Sequence, residues 1–263
     1  MLKTGIYVDA ENIRLCGGYG MRYDVLAELA NTGNSTLLRA NSYVVEDRLR
    51  TEEDPEYRQK LYHYHDILRQ YGFKLIKKYV KHFRNEEGVI TTKANADMDL
   101  AVDAVLQARN LDRIILITGD GDFVRLVIAL QNRGCRVEVI GFKNVSTELR
   151  EAADFYISGF LIPRLLPILN ASPDDEKWYR GTAINYNGAK GFGFMRYYRL
   201  TATGLNSDTV FFHRSKSEED LDPQLFNQPM QIFEFKIAAQ NGNRPEAIDI
   251  RTLQTEDPPR RDG

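Results

Sequence analysis

The run Ile114-Ile115-Leu116-Ile117 stops at Thr118-Gly119-Asp120-Gly121-Asp122-Phe123, so a fully apolar strand ends on a glycine turn that carries two carboxylates. A run of that kind belongs to a strand buried on both faces, as in a parallel sheet covered by helices. In such a sheet the turn lies at the carboxyl end of the strand, where ligands bind. Charges placed there are costly unless something cationic shares the site. The pattern recurs where Gly5-Ile6-Tyr7-Val8 runs into Asp9-Ala10-Glu11-Asn12. Two strand ends that each present an acid point to a divalent cation such as Mg²⁺ or Mn²⁺, which takes hard oxygen ligands.

The rest of the first 160 residues fits this frame. Strand-like runs fall at 5–8, 36–45, 73–80, 113–117 and 136–141, with helical patterns between them. Asp54-Pro55 reads as a cap and first turn, followed by Tyr57, Leu61, Tyr64, Leu68 and Tyr71 at helical spacing, a stripe expected to be core. Further helices are expected at about 97–107 and 122–133. Strand–helix alternation predicts an α/β domain with a parallel sheet. Prolines at 163, 167 and 173 suggest a short helix and then a linker over 163–177. From 178 to 253 helical periodicity gives way to short strands and Asn-Gly turns, which predicts a small all-β barrel. Residues 254–263 are expected to be disordered.

Composition excludes some classes. With 263 residues the chain has room for two domains, and 43% hydrophobic with 27% charged residues is ordinary globular composition. A net charge of −2 shows no bulk basic character, although a nucleic-acid partner needs only a local basic surface. Cys16 and Cys135 read as two reduced thiols, and no run approaches the ~18 apolar residues of a membrane span. With no signal peptide at the start, the expectation is a cytoplasmic protein without a membrane partner.

The acids gather into one constellation: Asp9 with Asn12, then Asp97, Asp99 and Asp103, then Asp120 with Asp122. Asp99 and Asp103 share a helical face. Asp97 in a first turn suits the helix dipole as well as a site, and Asp103 reads equally as a solvated acid. Lys77, Lys78, Lys81, His82, Arg84 and Lys93 form a basic cluster suited to tracking phosphates.

The segments 8–12, 93–103 and 118–123 together resemble the NYN domain of the PIN-like nuclease superfamily, in its LabA-like branch. Over about 155 residues the resemblance implies a Rossmann-like three-layer domain at 1–162 that hydrolyses RNA phosphodiesters with Mg²⁺ or Mn²⁺. By position, Asp9, Asp97, Asp120 and Asp122 would bind the metal. Asn12 would orient Asp9 or touch substrate, and Asp99 is a further candidate. Asp120-Gly121-Asp122-Phe123-Val124 also fits a haloacid-dehalogenase-like pattern. In those enzymes it follows the first strand, whereas here it follows about the fourth, so the match is accidental.

In the second half, Lys190-Gly191-Phe192-Gly193-Phe194 and Val210-Phe211-Phe212-His213 resemble the two ribonucleoprotein-type motifs of a cold-shock domain. Period-two alternation places Phe192 and Phe194 on one face, and their glycine neighbours would leave the rings open to bases. The resemblance implies an OB-type barrel that binds single strands through Tyr186, Phe192, Phe194, Phe211 and His213, with Lys190 on phosphate. The pattern is departed from at Asn185, which stands for a tryptophan, and at Arg214, which stands for an aromatic. A loop insertion is expected at 199–207.

The expected function is a metal-dependent ribonuclease whose barrel captures single-stranded RNA. The alternatives are a catalytically silent RNA-binding regulator with a metal-binding first domain, and a nuclease acting on single-stranded DNA. A homo-oligomer is left open.

Overall fold

The computed structural model of the chain describes all residues except 85–89, 94–95, 171–176, 219, 239–243 and 256–263, and only the backbone at 81–84 and 90–93. The turn at Asn241-Gly242-Asn243 and the tail from 256 onward therefore lie outside the described residues. Contacts divide the described chain into two units, residues 1–157 and 158–257.

The first unit opens with β1 (Leu2–Asp9), α1 (Ala10–Leu15), α2 (Tyr23–Ala30), β2 (Ser35–Glu46), α3 (Arg48–Glu53), α4 (Pro55–Gln70) and β3 (Lys74–Tyr79). A hairpin of β4 (Lys81–Arg84) and β5 (Ile90–Lys93) leads into α5 (Asp97–Gln107). Then come β6 (Arg113–Ile117), α6 (Val124–Gln131), β7 (Arg136–Gly141), α7 (Thr147–Ala152) and β8 (Phe155–Ser158). Six strands form one sheet in the order β3-β2-β1-β6-β7-β8. Parallel pairing sets Ile6 of β1 opposite Ala40 of β2 and Ile115 of β6. The chain builds outward from β1 to β3, then crosses to the other side of β1. The order thus reverses between β1 and β6, and the crevice at their carboxyl ends is where open α/β sheets bind ligands.

Helices cover the apolar strands as the alternation requires. Leu100 and Ala104 of α5, Phe123, and Val127 and Leu130 of α6 pack with Tyr7, Ile114, Leu116 and Val139 of the sheet. Asp54 caps α4 by accepting the Tyr57 N–H at 2.9 Å. On the tyrosine stripe, Tyr64 meets Tyr23 with hydroxyls 2.6 Å apart and Leu68 is fully buried, whereas Tyr71 at the helix end is exposed. The helix expected from 122 begins later, because Gly121–Phe123 forms a tight 3₁₀ turn first. β8 was not expected: four residues with an exposed Phe155 give no apolar run.

His65 on α4 is buried, with neither ring nitrogen hydrogen-bonded to a described residue. Burial, helped by the Lys77 charge, pushes its pKa down from 6.5 to about 4. The unfolded chain therefore binds a proton that the folded chain refuses between those values. The stability from neutral His65 is whole above pH 6.5 and is lost as pH falls towards 4. Denaturant titrations at pH 7.5 and 4.5 should show the native protein losing about 2–3 kcal/mol more than His65→Leu over that interval. Equal losses would show that His65 does not titrate with unfolding.

The second unit closes five strands into a barrel. β9 (Trp178–Asn187), β10 (Phe192–Thr201), β11 (Gly204–His213), β12 (Ile232–Ala238) and β13 (Glu246–Thr252) join in the order β10-β11-β13-β12-β9. Met195, Phe212, Phe233, Phe235, Ala247 and Ile250 fill its interior with no exposure. The insertion expected at 199–207 is instead a continuation of the β10–β11 ladder, with Thr201 opposite Gly204 across a two-residue turn. The linker expected from 163 is also revised over its first residues. Arg180 donates to the carbonyls of Leu166 (3.3 Å) and Pro167 (2.7 Å), and Arg251 to that of Leu169 (2.8 Å). Glu234, with no exposure, accepts from both guanidiniums at 2.9 and 3.1 Å. Guanidiniums can satisfy orphan carbonyls of an irregular segment in this way, so residues 166–169 belong with the barrel.

Candidate functional site

Asp9 is the last residue of β1 and also the cap of α1. Its Oδ1 accepts the Asn12 N–H at 3.2 Å, and its Oδ2 accepts the Thr118 hydroxyl at 3.0 Å. Thr118 follows β6, so the register that sets Val8 beside Ile117 brings these side chains together. The hydroxyl of Thr118 in turn accepts the Asp120 N–H at 3.2 Å, and Asn12 Oδ1 accepts the Gly119 N–H at 2.9 Å. Asp120 accepts the Asp122 N–H at 2.9 Å through Oδ1. The two strand ends are thus pinned to each other across the switch point. The turn fits closely, since a Cβ on Gly121 would stand 2.9 Å from Ser146 Oγ.

Asp9 is only 8% exposed. Burial, with the negative charges of Asp97 and Asp120 adding to it, pushes its pKa up to about 6 despite the hydrogen bonds from Asn12 and Thr118. The Cys16 thiol, raised first by its burial, feels Asp9 and Asp120 as well. Three of the expected acids (Asp9, Asp97 and Asp120) therefore act on one another from β1, the start of α5 and the turn after β6. Asp122 lies at the rim, its backbone N–H capped by Asp120. Asp99 is drawn elsewhere: Lys78 Nζ of β3 stands 2.8 Å from its carboxylate. Asp103 is not a solvated acid: it accepts the buried Tyr43 hydroxyl at 2.9 Å and ties α5 to β2.

A cation fits this donor set in chemistry, since all three acids are hard oxygen ligands and burial makes their repulsion expensive. Like charges also hold one another apart. Among the described residues no three His, Cys, Asp or Glu side chains are disposed to hold a metal ion together. In the basic cluster Lys77 pairs with Glu46 at 2.8 Å, and Lys78 is taken by Asp99. The side chains of Lys81, His82, Arg84 and Lys93 lie outside the described residues. Thr118, Ser146 and Cys16 were not singled out from sequence. Only the strand register could have indicated Thr118, and nothing local marks the other two.

This geometry sits in a chain whose residues 3–166 match the NYN domain. The chain belongs to the NYN domain family. A stretch of 97 residues is 30% identical to the Low amplitude and bright protein LabA of Synechococcus elongatus, covering 36% of this chain and 52% of that one. The chain thus spans about half the length of that curated relative. A crystal structure of a protein of unknown function from Vibrio parahaemolyticus is also similar, at 29% identity and a TM-score of 0.48. It covers 60% of this chain and 92% of the other. In both units no helix among the described residues is long and apolar enough to cross a membrane.

The barrel of this NYN protein carries an aromatic face. Phe194 pairs with Phe211 and Phe192 with His213 across β10 and β11. The Phe211 ring lies 5.7 Å from that of Phe192 and 6.0 Å from that of Phe194, which is 37% exposed. His213 Nδ1 faces Ser215 Oγ at 2.7 Å and Nε2 faces the Lys190 carbonyl at 3.2 Å, which fixes the ring beside them. Lys190 is exposed. Tyr186 turns towards the barrel interior: its ring stacks on Phe212 at 5.9 Å and lies tilted against Phe226 at 5.0 Å, and its hydroxyl is buried. The ring is partly buried against the barrel core. Gly193 is also explained differently, because it faces inward and a Cβ there would stand 2.9 Å from the Phe212 ring.

Proposed function

We propose that this NYN protein is a metal-dependent ribonuclease whose barrel holds single-stranded RNA. The observation that carries the reading is the convergence of Asp9, Asp97 and Asp120 on the β1/β6 switch point, where burial first, and the charges of Asp97 and Asp120 after it, push the Asp9 pKa up to about 6. Asp9, Asp97 and Asp120 would hold Mg²⁺ or Mn²⁺, with Asp122 at the rim. The bound cation would neutralise the scissile phosphate and activate water for attack. The protein's own groups set the stage for that chemistry. Thr118 fixes the Asp9 carboxylate from one side and the Asn12 N–H from the other. Asn12 spends its carbonyl on Gly119, which leaves its NH₂ as a donor for a phosphate oxygen. Asp99, neutralised by Lys78, supports the helix start rather than the metal.

Phe192, Phe194, Phe211 and His213, with Lys190 beside them, suit stacking on bases, as the resemblance to a cold-shock domain implies. Phe194→Ala and Phe211→Ala should each weaken single-stranded RNA binding by about 1–3 kcal/mol. Fluorescence anisotropy with a labelled oligonucleotide reads this directly. A lowered melting temperature with unchanged affinity would make the rings part of the packing instead.

The rival reading is a silent RNA-binding regulator with a metal-binding first domain. Incubating the purified chain with labelled single-stranded RNA and DNA in Mn²⁺, Mg²⁺ or EDTA separates the readings. Cation-dependent cleavage of RNA supports the ribonuclease, binding without cleavage supports the regulator, and preference for DNA redirects the substrate.

A further inference from the structure

At the opposite end of the sheet a cavity of about 490 Å³ opens between the start of β1, the first half of β2 and the end of α5. Its wall includes Lys3, Arg39, Arg109, Gln107, Leu38 and Leu106. A volume of this size is in the range that holds small organic ligands. Lys3 is the second residue of β1 and Asp9 its last, so the cavity lies about 20 Å from the carboxylates.

Three cations surround it, and among the described residues none of them pairs with a carboxylate. The Asp112 carboxylate nearby is occupied by the Lys3 backbone N–H at 2.8 Å. Arg109 alone has a simple explanation, since it follows the carboxyl end of α5, where a positive charge is favourable. Lys3 and Arg39 stand on strands and have no such reason. The helix end opposes an anion with roughly half a charge, which three cations outweigh. Gln107 is held from behind: its Oε1 accepts the Tyr7 hydroxyl at 3.1 Å and the Asn41 amide at 3.5 Å. That fixes the side chain and leaves its NH₂ as a donor at the wall. Leu38 and Leu106, 42% and 64% exposed, add an apolar surface between the charges.

Cations and a fixed donor suit phosphate, and exposed leucines suit a flat apolar group. We propose that this cavity binds a small organic phosphate of the mononucleotide class, separately from the acidic crevice. An RNA backbone track would use the cations but gain nothing from the leucines.

Calorimetric titration of the full chain with AMP, ADP and inorganic phosphate tests this. A nucleotide should bind saturably and at least about tenfold more tightly than phosphate. Arg39→Gln combined with Arg109→Gln should lower that affinity about tenfold or more. Both residues are exposed and unpaired, and an unchanged melting temperature confirms folding. Asp9→Asn should leave nucleotide affinity as it was, so failure here and failure of the nuclease reading are read separately. No saturable binding, phosphate binding as tightly as nucleotide, or an affinity unmoved in the double variant overturns the proposal. So does loss of single-stranded RNA binding in that variant without any nucleotide binding, which would make the cations a backbone track.

Discussion

Asp120→Asn is expected to lower Mn²⁺-dependent RNA cleavage at least ~100-fold while leaving the protein folded. The amide keeps an oxygen to accept the Asp122 N–H, so the 3₁₀ turn stays capped. What disappears is the negative charge on the far side of the crevice from Asp9. Melting temperature and circular dichroism of the variant should match the native protein within small error. Cleavage at the native rate by this folded variant would remove Asp120 from the metal site.

The second large effect lies in the barrel. Glu234 is fully buried between Arg180 and Arg251, and both guanidiniums also hold carbonyls of residues 166–169. Glu234→Gln keeps the shape but leaves Arg180 without a counter-charge and Arg251 with only Glu218, 3.8 Å away. Breaking a buried network by removing one partner costs about 3–5 kcal/mol, so the barrel should melt at least about 10 °C lower. Residues 158–170 should also become open to limited proteolysis before the strands unfold. A change within about 1 kcal/mol would mean that water already screens the network.

The parts of the fold that could be read from sequence are those where burial dictates residue type. Residues 113–117 and 136–141 are continuous apolar runs, and they became β6 and β7 with those boundaries. β4 and β5 carry charged and polar residues and have no such run, and β8 is only four residues long. The acids followed the same logic. Asp9 and Asp120 were marked because a charge directly after a buried strand is unusual. Asp99 stayed a further candidate beside Asp97, because nothing in a helical pattern reveals Lys78 twenty-one residues earlier. Asp103 was hidden in the same way by its bond to Tyr43.

The inward turn of Tyr186 has a reason of register. Between Phe192 and Phe194 the ladder with β9 slips, so that Asn187 and Ile184 are the successive partners. Asn185 adopts a positive φ of 52° within that slip. An extra residue in one strand turns the following side chain to the other face, and Tyr186 enters the core. Alternation counted along the sequence has no access to a bulge.

In the proposed ribonuclease, Asp9, Asp97 and Asp120 would share one divalent cation at the β1/β6 switch point. Calorimetric titration of Mn²⁺ into the full chain and into Asp9→Asn tests it without requiring a substrate. Binding to the native protein should be saturable, and binding to the variant at least about tenfold weaker, since removing a ligand charge costs at least that much. Equal stoichiometry and affinity in the two proteins would contradict it.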